Sequence, residues 1–84
     1  MKILHVIRRP DDELPLSVAR SQQDFHKVAV LLVQDGVLSH EDPGCPVYLC
    51  AEDAEARGVG SGPPRVSYPE IVDLLFEHDK VICW

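Results

Sequence analysis

The stretch Lys27-Val28-Ala29-Val30-Leu31-Leu32-Val33 is apolar at every position after its lysine, and Gln34-Asp35-Gly36 ends it abruptly. A strand with one wet face alternates apolar and polar residues. A strand that is apolar throughout is covered on both faces, as strands inside a parallel sheet are. The fold class turns on this reading, because a parallel sheet needs crossover connections that place helices on its faces.

Upstream, Ile3–Ile7 is a short apolar strand broken only by His5, followed by the polar Arg8-Arg9-Pro10-Asp11-Asp12. A weak helix is expected from about Leu14 to Gln23. Pro15 suits its first turn, Asp12 or Glu13 its cap, and Leu14 with Val18 its narrow apolar stripe. Downstream, Pro46–Cys50 reads as a third strand and Ala51–Arg57 as a short helix stopped by Gly58. Gly58–Pro64 is a loop. Ser67-Tyr68-Pro69-Glu70 is a capping box, serine at the cap and glutamate three residues on. It opens a helix whose Ile71, Val72, Leu74, Leu75 and Phe76 predict a broad buried face. Lys80–Trp84 closes a mostly parallel, four-stranded α/β sheet with flanking helices, a single domain over residues 1–84.

One link is unusual. Between the second and third strands, Gln34–Cys45 is barely long enough for a parallel crossover and carries no helical pattern. One face of the sheet is then expected to lack helical cover, and a partner subunit is the natural cover.

Composition narrows the classes. A chain of 84 residues buries only roughly 60–65% of its unfolded surface, so its core is thin. No apolar run approaches the ~20 residues needed to cross a bilayer, and the N-terminal run is too short for a signal peptide. Three cysteines, Cys45, Cys50 and Cys83, cannot pair completely, which fits a reducing compartment; the expected location is the cytoplasm. With 14 acidic residues against 8 basic ones the net charge is −6. That repels a polyanion and argues against direct nucleic-acid binding.

Most apparent motifs have ordinary readings. Gly58-x-Gly60-x-Gly62 follows a helix and precedes Pro63-Pro64, whereas a phosphate loop follows a strand and opens a helix. His40, Cys45 and Cys50 lack the close ligand pairs of structural zinc sites. No metal or cofactor is expected. Asp35 fits a strand-end turn and Asp53 the first turn of a helix. His5 fits a hydrogen-bonded core position better than a catalytic one, and Trp84 fits core or interface filler.

Cys50 is the candidate site residue. It ends an apolar strand and immediately precedes a helix, and open α/β domains bind ligands at the carboxyl ends of strands, beside helix N-termini. A thiol there, beside a positive helix end, is expected to be partly accessible and acidic. Arg8 and Arg9 would reinforce it if the first and third strands were neighbours. The other reading is a small buried hydrophobe. Cys83 is expected to be buried in its strand and Cys45 to lie in a loop without a helix end.

The chain also resembles the DsrE-like sulfur-relay superfamily, and most of all its DsrH/TusB branch. The residues that carry the resemblance are Ile3-Leu4-His5, Leu31 to Val37 (LLVQDGV), Val47-Tyr48-Leu49, Glu52-Asp53, Ala56-Arg57-Gly58, Tyr68, Ile71-Val72-Asp73-Leu74 and the final Trp84. The resemblance implies a three-layer α/β subunit of a cytoplasmic persulfide-transfer complex. Its partners would be TusC/TusD-like or DsrE/DsrF-like subunits and a sulfur donor protein. Its pathway would serve 2-thiolation of the tRNA wobble uridine or dissimilatory sulfur metabolism. DsrH-type chains carry a cysteine where this one has Arg20, so that role does not transfer. Cys50 stands eight residues before Gly58, as the sulfur-carrying cysteine of TusD/DsrE-type chains stands before its own Arg-Gly. A non-catalytic homo-oligomeric partner protein with the same fold, and a small-ligand domain using the strand-end crevice, remain the alternatives.

Overall fold

Residues 1–84 are described by a computed structural model. The apolar run at its centre forms β2, Lys27–Leu32, with five of its six residues buried. β1, Lys2–Ile7, lies parallel to it in a register that pairs Lys2 with Lys27 and Ile7 with Leu32. β3, Val47–Cys50, flanks β2 on the other side and pairs Leu49 with Leu32. The sheet has five strands, not four. Arg65–Val66 forms the short β4 beside β3, and Lys80–Cys83 forms β5 beside β1. The order is β4-β3-β2-β1-β5, all parallel. β4 escapes sequence reading because two residues carry no periodicity; they are strand only through pairing with Leu49 and Cys50.

Helices cover both faces, unequally. The helix α1, Glu13–Gln22, and the short α2, Ala51–Ala56, pack on one face. There Leu16, Ala19 and Ala54 meet Ile7, Val28, Val30, Leu32 and Leu49. The buried side of α1 is Pro15, Leu16 and Ala19; Leu14 is exposed and Val18 half-buried. The opposite face is covered by α3 alone, Tyr68–Glu77, which carries the chain from β4 to β5. Its Leu74 and Ile71 close over Leu4, Ala29, Leu31 and Val66. The capping box forms as expected, Ser67 Oγ accepting from the Glu70 amide while the Glu70 carboxylate accepts from the Ser67 amide.

The broad buried face expected of α3 is not realised. Only Leu74 is buried and Ile71 half-buried, while Val72, Leu75 and Phe76 are exposed, Phe76 at 86%. A single helix crossing a sheet presents one side to it, and no further layer lies beyond. Cys83, expected to be buried, is exposed for the same reason. It pairs with Val6 on the edge strand β5, on the face where α3 is the sole cover.

The unusual link contains a short 3-10 turn, Gln34–Leu38, and no α-helix. Its Val37 joins the core, but the link leaves a groove of about 880 Å³ above β2 and β3, floored by Leu32, Val47 and Leu49. Gly36 is required here. A Cβ on it would stand 2.4 Å from the Ile7 carbonyl oxygen, so the turn folds tightly over the end of β1. No helix is long and apolar enough to cross a membrane.

Candidate functional site

At the carboxyl ends of β2 and β3 the backbone is held by charged side chains. Gln34 adopts φ +52°, a left-handed conformation that costs a non-glycine residue of order 1 kcal/mol. Its N–H donates to Asp53 Oδ2 at 2.7 Å. Arg57 donates through Nε to Asp35 Oδ1 at 2.8 Å and lies 3.8 Å from Asp53 Oδ1. Asp53 is thus a strut between α2 and the end of β2, and Asp35 holds the arginine that completes it. Both had ordinary sequence readings as turn and helix-start residues; their contacts add this bracing to them.

Cys50 sits where the sequence places it, as the last residue of β3 and the N-cap of α2. Its surroundings differ from those expected of a reactive thiol. It is 2% exposed, and burial pushes its thiol up. The Asp53 carboxylate adds to the rise, while the amides of Asp53 and Glu52 at the start of α2 pull the other way. Tyr68, the first residue of α3, stands close enough for Cys50 to contribute to raising its phenol, which the Glu52 carboxylate raises most. The first and third strands are not neighbours, since β2 lies between them, so the condition under which Arg8 and Arg9 would reinforce the thiol is not met. Arg8 donates instead to the Trp84 oxygen at 2.8 Å, one strand beyond β1.

The other candidates separate from this site. His5 is fully buried and hydrogen-bonded at both ring nitrogens, the core role expected of it. Trp84 is half-buried against the α1-side core and stacks on His5. Cys45 is half-buried in its loop, where desolvation raises its thiol. Arg20 reaches Glu41 at 3.5 Å and the Asp42 carbonyl at 3.2 Å, pinning the link to α1. Nowhere do three or more His, Cys, Asp or Glu side chains gather so as to hold a metal ion. No signal in the sequence marks Glu52 and Tyr68 as neighbours of Cys50. The only sequence sign of Tyr68's position was the capping box, which fixes where α3 begins but not what stands beside it.

The five-stranded parallel sheet, covered by α1 and α2 on one face and α3 on the other, defines a small α/β domain of the DsrE-like fold. No protein-family model matches the chain, and no curated protein matches it. Among solved structures, the crystal structure of the ychN protein from E. coli is similar over 100% of this chain and 99% of that one, with a TM-score of 0.77 at 19% sequence identity. At that identity the likeness concerns the fold.

Proposed function

We propose that this chain is a TusB/DsrH-like subunit of a sulfur-relay assembly, working beside TusC/TusD-like or DsrE/DsrF-like partners in tRNA wobble-uridine thiolation or a related sulfur transfer. The reading rests on the DsrE-like fold spanning the whole chain, joined to the motif resemblance from LLVQDGV to the final tryptophan. The uncovered apolar side of α3 and the open groove above β2 and β3 supply surface for such partners. With its thiol buried and raised in the isolated chain, the subunit's first contribution is assembly. The test is light scattering at micromolar concentration, alone and mixed with such relatives. A particle larger than 9.4 kDa is expected, and a monomer in both cases would refute the reading.

A second reading gives Cys50 the sulfur itself, favoured by its position between a strand end and the first amides of α2. A Cys50 thiolate would attack the outer sulfur of a donor persulfide, forming the Cys50 persulfide and releasing the donor thiolate. For this the partner must open the site, since the thiol is closed in the free chain. Mass spectrometry after treatment with a sulfurtransferase and cysteine decides it. One added sulfur on the Cys50 peptide in the assembled complex, lost in Cys50→Ser, is the required result; sulfur retained by Cys50→Ser excludes the role.

A further inference from the structure

The helix α3 carries more apolar surface than its own sheet uses. Ile71 and Leu74 make one stripe and rest on the sheet. Tyr68, Val72, Leu75 and Phe76, spaced i, i+4, i+7 and i+8, make a second stripe, and all four are exposed. Glu70, Asp73 and Glu77 confine charge to the remaining side, where they line a cleft with Tyr48 of β3 and Val66 of β4. The second stripe therefore faces away from β3 and β4, toward solvent and the half of the sheet made by β1 and β5. A helix apolar on two of its three sides is built for burial between layers, and this one has a layer on one side only.

The β1 and β5 half is short of cover. Val81 and Cys83 of the edge strand β5 pair with Leu4 and Val6 of β1, so all four share the face on which α3 lies. Leu4 is buried there, but Val6 is half-buried and Val81 and Cys83 are exposed. The opposite face carries two helices where this one carries α3 alone. An apolar helix flank and a vacant seat for a helix thus lie side by side on one surface.

Such a surface is complementary to itself. A two-fold rotation lays the flank of each copy over the open strands of the other, and the contact closes with no flank left over. No other helix of the chain could fill the seat, since α1 exposes one large apolar residue, Leu14, and α2 exposes none. The area suits a small dimer. Phe76 is 86% exposed and Tyr68 55%, and an aromatic side chain carries about 150–250 Å². With the smaller apolar neighbours the patch amounts to roughly 500 Å² a copy, at the upper end of what monomers leave bare. Two copies together bury about 1,000 Å², where specific interfaces begin.

We propose that the chain forms a two-fold homodimer in which Val72, Leu75 and Phe76 of each copy cover Val6, Val81 and Cys83 of the other. The groove above β2 and β3, on the opposite face, stays free for other subunits. The contact rests on the fold alone and is independent of the sulfur-relay reading.

The test is sedimentation equilibrium of the full chain over a range of concentrations up to about 1 mM. A particle of twice 9.4 kDa is expected as concentration rises, with dissociation in the micromolar range. Phe76→Gln alters a side chain that faces solvent within one copy, so the fold is kept while dimerisation weakens about tenfold or more. Leu14→Gln, exposed on α1, should dimerise as wild type. Cys83, open in the dilute monomer, should react several-fold more slowly with a thiol reagent once the dimer forms, and Phe76→Gln should restore its rate. A monomer at every concentration would overturn the proposal. So would a dimer that Phe76→Gln leaves intact, or one in which Cys83 reacts at the monomer's rate. A chain that is monomeric by itself yet joins sulfur-relay relatives overturns the contact and leaves the relay reading standing, whereas a Phe76-dependent dimer that joins none keeps the contact.

Discussion

The indole N–H of Trp84 donates to Nδ1 of His5 at 2.9 Å, and the two rings stack with centroids 6.0 Å apart. Because an indole nitrogen can only donate, Nδ1 must be the bare nitrogen; Nε2 then carries the proton and gives it to Gln22 Oε1 at 2.6 Å. A fully buried imidazole is satisfied at both ends by residues from α1 and from the chain's last position. Replacing Trp84→Phe keeps a stacked ring and removes the donor. Leaving a buried acceptor unpaired costs roughly 1–3 kcal/mol, and urea denaturation should show a lowered midpoint with unchanged slope. An unaltered midpoint would mean that another donor reaches Nδ1.

Gly36 offers a sharper steric test. The added methyl of Gly36→Ala would lie 2.4 Å from a main-chain oxygen of Ile7, which cannot rotate away as a side chain would. The turn over β1 must shift, at an overpacking cost of about 1–3 kcal/mol. Thermal unfolding of the variant against wild type measures it, and an equal melting temperature would show the turn to be looser than described.

Thiol reactivity should follow exposure. A limiting thiol reagent near neutral pH should modify exposed Cys83 first, half-buried Cys45 later and buried Cys50 last. Burial raises the pKa of both slow thiols, so their thiolate fractions at neutral pH are small and grow as pH rises. This inverts the order expected from sequence, in which Cys50 led. Peptide mapping of the first adduct decides between them, and Cys50 leading in the free chain would show that its site opens spontaneously.

Two exposed carboxylates should titrate low. The amide and hydroxyl of Ser67 hold Glu70 below its ordinary 4.5, and the amides of His40 and Glu41 hold Asp11 below 3.8. A depressed folded-state pKa contributes stability that is present above the ordinary value and lost as pH falls through the lowered one. Carboxyl carbon NMR should find both midpoints below those values. Ser67→Ala removes the hydroxyl and keeps the amide, so the Glu70 midpoint should rise part of the way while Asp11 stays low; an unmoved Glu70 would assign its whole shift to the Ser67 amide.

What the sequence made legible had local causes. The unbroken run Lys27–Val33 announces a strand with two covered faces, Ser67 and Glu70 announce where α3 starts, and Gly58, at φ +68°, announces where α2 stops. What escaped was set by neighbours distant in the chain. β4 exists because Cys50 and Leu49 offer it a ladder. Phe76 and Leu75 have the composition of a core and lack a layer to bury them. For Cys50, sequence foretold the position at the strand end but not the chemistry. Its thiol is governed by which strand lies beside β3 and by Glu52, Asp53 and Tyr68 around it.

The placement of β5 beside β1 orders events in folding. β1 is made first yet is flanked on one side by the last strand, and its buried histidine waits for a partner 79 positions later. Pairing across so long a separation forms slowly, because the intervening chain must be closed before the contact is rewarded. Until then a growing chain can build β1 through β4 with α1 and α2, presenting an open strand edge and an unsatisfied imidazole along β1. During synthesis that unfinished edge is the place where another strand, from a second nascent copy or a chaperone, has its best opportunity to pair.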